Sequence, residues 1–367
     1  MKQLFHKNLI LILTIVIGGL LVLGVKFDQA LYSDTIVKIT QVTDDKTEKV
    51  TDEFENKDTQ TKQKISGIVM NGKYQSQKIV LPNTYSSSRA NDQKYQKNDQ
   101  VFVTVNPHKS GLTGTIDGFK RDVVVAVLIW VAVSMLVGFM QISGMIAVLS
   151  IALNMVIFFL AIKFEIFVNI TNFFWIFAGI ALIFAVLTLS LVIGLNRQML
   201  VTLLATLTGT SLSVIISVIV LRLTNDQGMH YEALSYATQA PKELFLAATL
   251  LGSLGAVMDE STDIVATLFQ LKEEQPMISP KELFKSGREV GQSIMGPLIN
   301  VLFLIFIADI FPLAVLYFRT TNTIGYTFSW TMALGVVQTL ISGIGIVIAI
   351  PVASFFASRL IKGGDAS

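Results

Sequence analysis

Apolar residues fall into eight long runs, and one extended polar segment interrupts the series after the first. A bilayer-spanning helix needs about 20 mostly apolar residues. The runs cover residues 9–25, 123–140, 142–162, 173–193, 199–221, 245–258, 294–317 and 328–350. The sixth is short and ends on Asp259 and Glu260, yet no helix breaker lies between Ala240-Pro241 and Gln275-Pro276. That spacing predicts one helix of about 33 residues, longer than a bilayer requires. The first run follows Lys2 and Lys7, as in a signal peptide. Its length and the lack of a small-x-small cleavage site after it favour an uncleaved anchor.

Residues 26–121 read differently. Residues 35–43 alternate apolar and polar imperfectly and carry β-branched side chains, as a strand does. Residues 44–64 are charged and read as a loop or an exposed hairpin. Residues 65–70 and 78–81 flank Asn71-Gly72, a pair that favours a type I′ hairpin turn because both central residues there need positive φ. Residues 83–97 are polar and turn-like, residues 101–105 form a clean strand, and Gly111 and Gly114 suggest a flexible approach to the second run. Several short strands predict a small β-rich domain, OB-like or a barrel or sandwich. Tyr74, Tyr85, Tyr95 and Phe102 are its candidate ligand-stacking aromatics; the competing reading is a spacer or partner-docking module with these rings in its core.

Composition sharpens this. Charged residues make up 15% of the 367-residue chain and hydrophobic ones 52%, which excludes an ordinary soluble enzyme and intrinsic disorder. Residues 26–121 hold 15 of the 28 Lys/Arg and 12 of the 26 Asp/Glu. The net charge of +2 comes with no basic tract, so nucleic acid is not an expected partner. With no cysteine, disulfides, thiolate metal ligation and thiol catalysis are excluded. His6, His108 and His230 are too scattered for a metal site, and neither metal nor cofactor is expected. No phosphate-binding loop, zinc-protease helix or kinase set occurs, and no nucleophile–base pair is visible, so an enzyme is not expected.

Positive charge orients the runs. With the N-terminus inside, Lys2, Lys7, Arg197, Lys272, Lys281, Lys285, Arg288, Arg359 and Lys362 are cytoplasmic, whereas Lys163, Arg222, Lys242 and Arg319 are outside. Lys120 and Arg121, before the second run, weigh weakly against this assignment. The fold class that follows is an α-helical polytopic membrane protein of about eight transmembrane helices. It comprises an anchor (1–25), an extracytoplasmic β-rich domain (26–121) and a seven-helix membrane domain (122–362). Both termini are expected in the cytoplasm.

Polar groups within spans are costly in lipid and mark function. Gly255, Asp259 and Asp263 recur at i, i+4, i+8, and Gly252 lies near the same face. Asp259 and Asp263 repel each other unless a cation or proton intervenes, which suggests an ion site; the plainer alternative is a solvated helix end. Gly287, Gly291 and Gly296 precede Pro297 at the start of the seventh run, where Gln292, Gly296 and Asn300 form a small and polar stripe. Pro297 and Pro312 are expected helix breaks. Asp309 is an ion-site candidate or a cap before Pro312. Ser279-Pro280 opens a short amphipathic helix in the cytoplasmic stretch 275–288, whose Lys281, Lys285 and Arg288 meet lipid head groups, with a counter-charge role for Arg288 opposite Asp259 or Asp263 as the sharper alternative. The hydroxyls of spans three to five, Thr202, Thr206 and Thr210 among them, are expected to bond their own i−4 carbonyls or to cross-link helices.

The run from Gly252 to Asp259, with Gly287-Arg288-Glu289-Val290-Gly291 and Ile294-Met295-Gly296, resembles the YibE/F family of bacterial multi-span membrane proteins. Anchor, outer β-rich segment and seven further spans agree with that layout. The resemblance implies membership and a bacterial plasma-membrane location. Because members often occur as adjacent gene pairs, it also implies a second, related membrane protein as partner. It carries over no catalytic residue. Two functions remain open. One is a permease for a small solute or ion, using Asp259, Asp263, Asn300 and Asp309 as a polar pathway. The other is a membrane scaffold whose outer domain binds an envelope partner and whose glycine stripes pair it with a sister protein or a second copy.

Overall fold

In a computed structural model, which describes residues 2–89, 92–108, 111–168, 173–234 and 240–361, the polar segment folds as five strands. Lys362, expected at the cytoplasmic end, lies outside the described residues. By internal contacts the chain divides into Met1–Met145 and Ile146–Ser367.

The first unit contains α1 (Lys2–Lys26), β1 (Ile36–Thr51), β2 (Lys57–Val69), β3 (Lys78–Ser86), β4 (Gln100–His108), β5 (Gly111–Phe119) and α2 (Asp122–Met140). The strands close a barrel in the order β1-β2-β3-β5-β4, with β3 and β5 parallel and the other neighbours antiparallel. Closure removes the open edges that invite aggregation. Val37, Ile39, Ile65, Val69, Ile79, Leu81, Val101 and Val103 fill the interior. The register shifts between Ile39 and Gln41, which is why the alternation of residues 35–43 is imperfect. The charged stretch 44–64 forms the exposed half of the long β1–β2 hairpin, one of its two expected forms.

Three expectations for this segment need correction. Asn71-Gly72 does not make a two-residue type I′ turn: only Gly72 has positive φ (74°), and β2 and β3 are joined through residues 70–77. The Asn71 side chain is instead buried, where its Oδ1 accepts from Ile36 N (2.7 Å) and its Nδ2 donates to the carbonyls of Gln29, Tyr32 and Asp34. Gly111 and Gly114 belong to β5 and form no flexible approach; a side chain at Gly114 would meet Thr104 O of β4 at 2.6 Å. Part of the turn-like stretch 83–97 is the end of β3.

The candidate aromatics are already engaged. Tyr95 is in the core, 4.7 Å from the Phe119 ring, and Phe102 packs 5.4 Å from Tyr32. Tyr74 packs against the core, and Tyr85 donates to Asp44 Oδ2 (3.0 Å). Asp44 also accepts from Gln63 and pairs with Lys94 at 3.3 Å. The Gln63 hydrogen bond, with those from Tyr85 and Lys94, outweighs partial burial and holds the Asp44 carboxyl below its ordinary value. A depressed carboxylate contributes stability above its unfolded pKa and loses it as pH falls through the folded one. Barrel stability should therefore decline more steeply below about pH 4 in wild type than in Asp44→Asn, read by thermal unfolding against pH.

Helices α1 and α2 pair in this unit. The Trp130 ring lies against Gly18, and its indole N–H donates to Ile15 O at 3.1 Å. Beside the barrel, Lys120 Nζ lies 2.7 Å from Asp28 Oδ1 and 2.9 Å from Asp122 Oδ2, and donates to Val25 O at 3.0 Å. Burial alone would lower the Lys120 pKa, but the bonds and charges of Asp122 and Asp28 more than offset it and raise it.

The second unit carries most of α3 (Ile142–Val168), then α4 (Phe173–Val192), α5 (Arg197–Leu223), α6 (Pro241–Glu274), α7 (Pro280–Arg319), α8 (Ile324–Thr327) and α9 (Ala333–Leu360), the last two joined by a π-helical turn at Phe328–Met332. Eight helical stretches among the described residues are long and apolar enough to cross a membrane. Helix α6 has 34 residues, as the absence of breakers predicts. The Ser279–Glu282 capping box starts α7, with Pro280 in its first turn.

Pro297 and Pro312 do not break α7, which runs unbroken through 40 residues. Each proline forfeits only its own N–H bond, and the turns on either side carry the helix past it. The core lies among α5, α6, α7 and α9; Val201, Ile264, Leu268, Phe269, Leu283 and Ile350 fill it, and the buried small residues Ala205, Ala353, Ala357, Gly287 and Gly291 lie among them. Small side chains let backbones approach closely, which these four helices do.

Candidate functional site

Helices α4, α6 and α7 enclose a cleft of about 560 Å³. Thr188, Leu189 and Val192 of α4, with Ile193 just after it, form one wall. Ile294, Pro297, Leu298 and Val301 of α7 form another. The α6 wall carries Met258, Asp259, Glu260, Thr262 and Asp263. The lining is thus mainly apolar, with its negative charge concentrated on α6. Asp259 and Asp263 lie one helical turn apart and are exposed to the cleft side, so their like charges are held near each other. Pro297 has no N–H, so the Ser293 carbonyl loses its usual helical donor on the opposite wall. On the α4 wall, Thr188 Oγ1 accepts from Asn154 Nδ2 of α3 at 2.7 Å.

The structure brings together Asp259, Asp263 and Pro297. It does not bring Arg288, Asn300 or Asp309 to this cleft: all three are exposed on α7 outside its lining. Among the described residues no ion pair joins Arg288 to Asp259 or Asp263, and Lys285 pairs instead with Glu289 at 3.7 Å.

The glycines divide as sharply. A side chain at Gly287 would meet Ser354 Oγ at 2.5 Å, and one at Gly291 would meet two carbons of Ile350 at 2.7 Å. Gly252 has only the Gln338 amide at 3.3 Å, and Gly255 and Gly296 have nothing within 4 Å. The packing role expected of Gly255 and Gly296 is therefore not found among the described residues; both lie on helix faces that the core does not use. Close packing occurs instead at Gly209 and Gly345, both against Val257.

The residue that sequence reasoning passed over is Glu260. It looked like the point where an apolar run stops, yet it is 1% exposed. The available signal was the buried stripe Ser253, Val257, Glu260, Ile264 and Leu268, spaced at three and four residues.

A five-stranded barrel followed by long apolar helices defines the chain as a multi-helix protein with one small β domain. A family model for YibE/F-like proteins matches residues 128–363, and one for the YibE/F family N-terminal domain matches residues 30–119. The chain therefore belongs to the YibE/F family. No curated protein and no solved structure matches it.

Proposed function

We propose that the chain is a multi-pass protein of a bacterial plasma membrane, with both termini cytoplasmic and the barrel outside, and that it acts as a permease for a small ion or solute. The observation that supports this is the α4–α6–α7 cleft. Its volume is in the range of small-ligand sites, and it presents two carboxylates one turn apart in an apolar surround. Such acids attract a cation or proton, and a cation relieves their mutual repulsion. Lys281, Lys285 and Arg288 then face anionic lipid head groups.

Reconstitution of the full chain, alone and with a related membrane protein, tests the reading by ion and solute flux. Asp259→Asn should lower flux at least tenfold, while Asp309→Asn, outside the cleft, should leave it near wild type. Absence of any wild-type flux ends the permease reading.

One observation favours a second reading, a scaffold that pairs with a related protein or a second copy. Only four of the 40 residues of α7 are buried, and Gln292, Asn300 and Asp309 are exposed on it. Polar side chains on a helix long enough to span need protein cover in lipid. A stable complex in the same preparations, without flux, supports this reading.

A further inference from the structure

Several buried side-chain oxygens of the second unit have no hydrogen-bond partner; apart from Asn154 Oδ1 and Thr327 Oγ1, which lie on other helices, they are four hydroxyls and one carboxylate on α5 and α6. They are Thr206 Oγ1 and Thr210 Oγ1 on α5, Ser253 Oγ and Ser261 Oγ on α6, and both carboxylate oxygens of Glu260. Each of these five residues is at most 2% exposed. Their neighbours behave differently. Thr202 donates to Gln198 O at 2.9 Å, Ser217 to Ser213 O at 2.7 Å and Thr249 to Phe245 O at 2.7 Å. That back-bond to the preceding turn is open to any helical Ser or Thr. Thr206 and Thr210 do not make it.

The packing puts these oxygens along one helix–helix contact. Val201 and Ala205 share a cluster with Ile264, Val265 and Leu268, and Gly209, further along α5, meets Val257, earlier on α6, so the two helices run antiparallel. Gly209 backs onto Val257, where an added Cβ would lie 2.9 Å from Cγ1. Thr206 and Thr210 flank Gly209, and Ser253 and Ser261 lie one turn on either side of Val257, with Glu260 beside Ser261. The Thr206 end of α5 therefore meets the Glu260 end of α6.

A buried carboxylate without a counter-charge is strongly disfavoured. Hard cations bind carboxylate and other oxygen ligands. One carboxylate among neutral hydroxyls balances one positive charge, and among the described residues no group of three His, Asp or Glu could hold a metal ion of higher charge. Oxygens around a cation are also held apart by it. With metal–oxygen distances of about 2.3–2.6 Å for an ion of calcium's size, close to that of sodium, they lie roughly 3.3–5 Å from one another. Most of that range is beyond hydrogen-bond reach, in keeping with oxygens that do not bond each other.

We propose that Glu260, Ser261 and Thr206 form a site for a monovalent cation, sodium, between α5 and α6, and that Thr210 and Ser253 extend its oxygen lining along the interface. Glu260 also borders the α4–α6–α7 cleft, so the inference deepens the permease reading and rests on it for any role in transport, though not for binding.

The test uses the full-length protein in detergent. Radioactive sodium binding is measured together with Tm in sodium chloride and in choline chloride of equal ionic strength. Wild type should gain about 3–5 °C at saturating sodium. Glu260→Gln should lose both the gain and the bound sodium, Thr206→Val should weaken apparent affinity about tenfold, and Asp309→Asn should respond as wild type. Should Glu260→Gln fail to fold, Thr206→Val decides. No sodium-specific shift in wild type, or a shift unchanged in Thr206→Val and Glu260→Gln, overturns the site. So does a wild type that responds to pH alone, which would put a proton on Glu260. Sodium binding without flux keeps this inference and removes the permease reading; flux with no sodium response does the reverse.

Discussion

Replacing Lys120 with alanine should destabilise the first unit by about 3 kcal/mol, the scale for breaking a buried ion set by removing one partner. The Lys120 side chain is 1% exposed and lies between Asp28 and Asp122, whose side chains are 14% and 29% exposed. Without the ammonium, two carboxylates share a confined space and the Val25 carbonyl loses a donor. Tyr32, whose hydroxyl donates to Asp122 at 2.6 Å, cannot neutralise either acid. Thermal unfolding followed by Trp130 fluorescence, in a background with Trp175 and Trp330 replaced by phenylalanine, measures the loss. Adding Asp28→Asn and Asp122→Asn to the alanine variant should recover much of it, because the repulsion is then gone. A loss below about 1 kcal/mol, typical of an exposed pair, would show that the site is wetter than its geometry implies.

Placing leucine at Gly291 should cost about 3 kcal/mol or more in the second unit. The first added carbon already lies 2.7 Å from two carbons of Ile350 and 3.1 Å from Ile264 Cδ1. Those neighbours are branched, buried and held by three packed helices, so little can yield. The comparison that gives this prediction its edge is Gly296→Leu, five residues along the same helix. Nothing lies within 4 Å of that position, and a leucine there should be tolerated within about 0.5 kcal/mol in the isolated chain. Thermal denaturation of both variants in detergent is the measurement. If Gly296→Leu folds normally but no longer assembles with a partner, the exposed face of α7 is an interface.

The long helices were legible because hydropathy and the lack of breakers speak locally, and α6 is the clearest case. The barrel was legible as several short strands, but its closure was not. The parallel β3–β5 pairing joins Ile79 to Leu112 across 33 positions of sequence, beyond any periodicity. Asn71-Gly72 misled because a turn dipeptide reports local φ preference, whereas Asn71 is held by backbone groups about 40 residues earlier. Glycine spacing on α7 indicated a packing face, yet only the turns against α9 use it. The candidate acids divide for the same reason. Asp259 and Asp263 reach a cleft because α4 and α7 flank that part of α6, while Asp309 lies where the chain's own helices do not cover it. Glu260 was hidden because it sits beside Asp259 at the end of an apolar run, and only its three- and four-residue spacing from Val257 and Ile264 marks it as facing the core.

The lengths of α6 and α7 carry a mechanical consequence. At 1.5 Å per residue they run about 51 and 60 Å, against a hydrocarbon core of about 30 Å. Residues 275–279 join them, Lys272 Nζ caps the turn by donating to Ile278 O at 3.0 Å, and Leu268, Phe269 and Leu283 fasten the two arms together. These arms are also two walls of the acidic cleft. The 275–279 turn and the walls that bear Asp259 and Pro297 thus belong to one continuous pair of helices, fastened at the end away from the cleft.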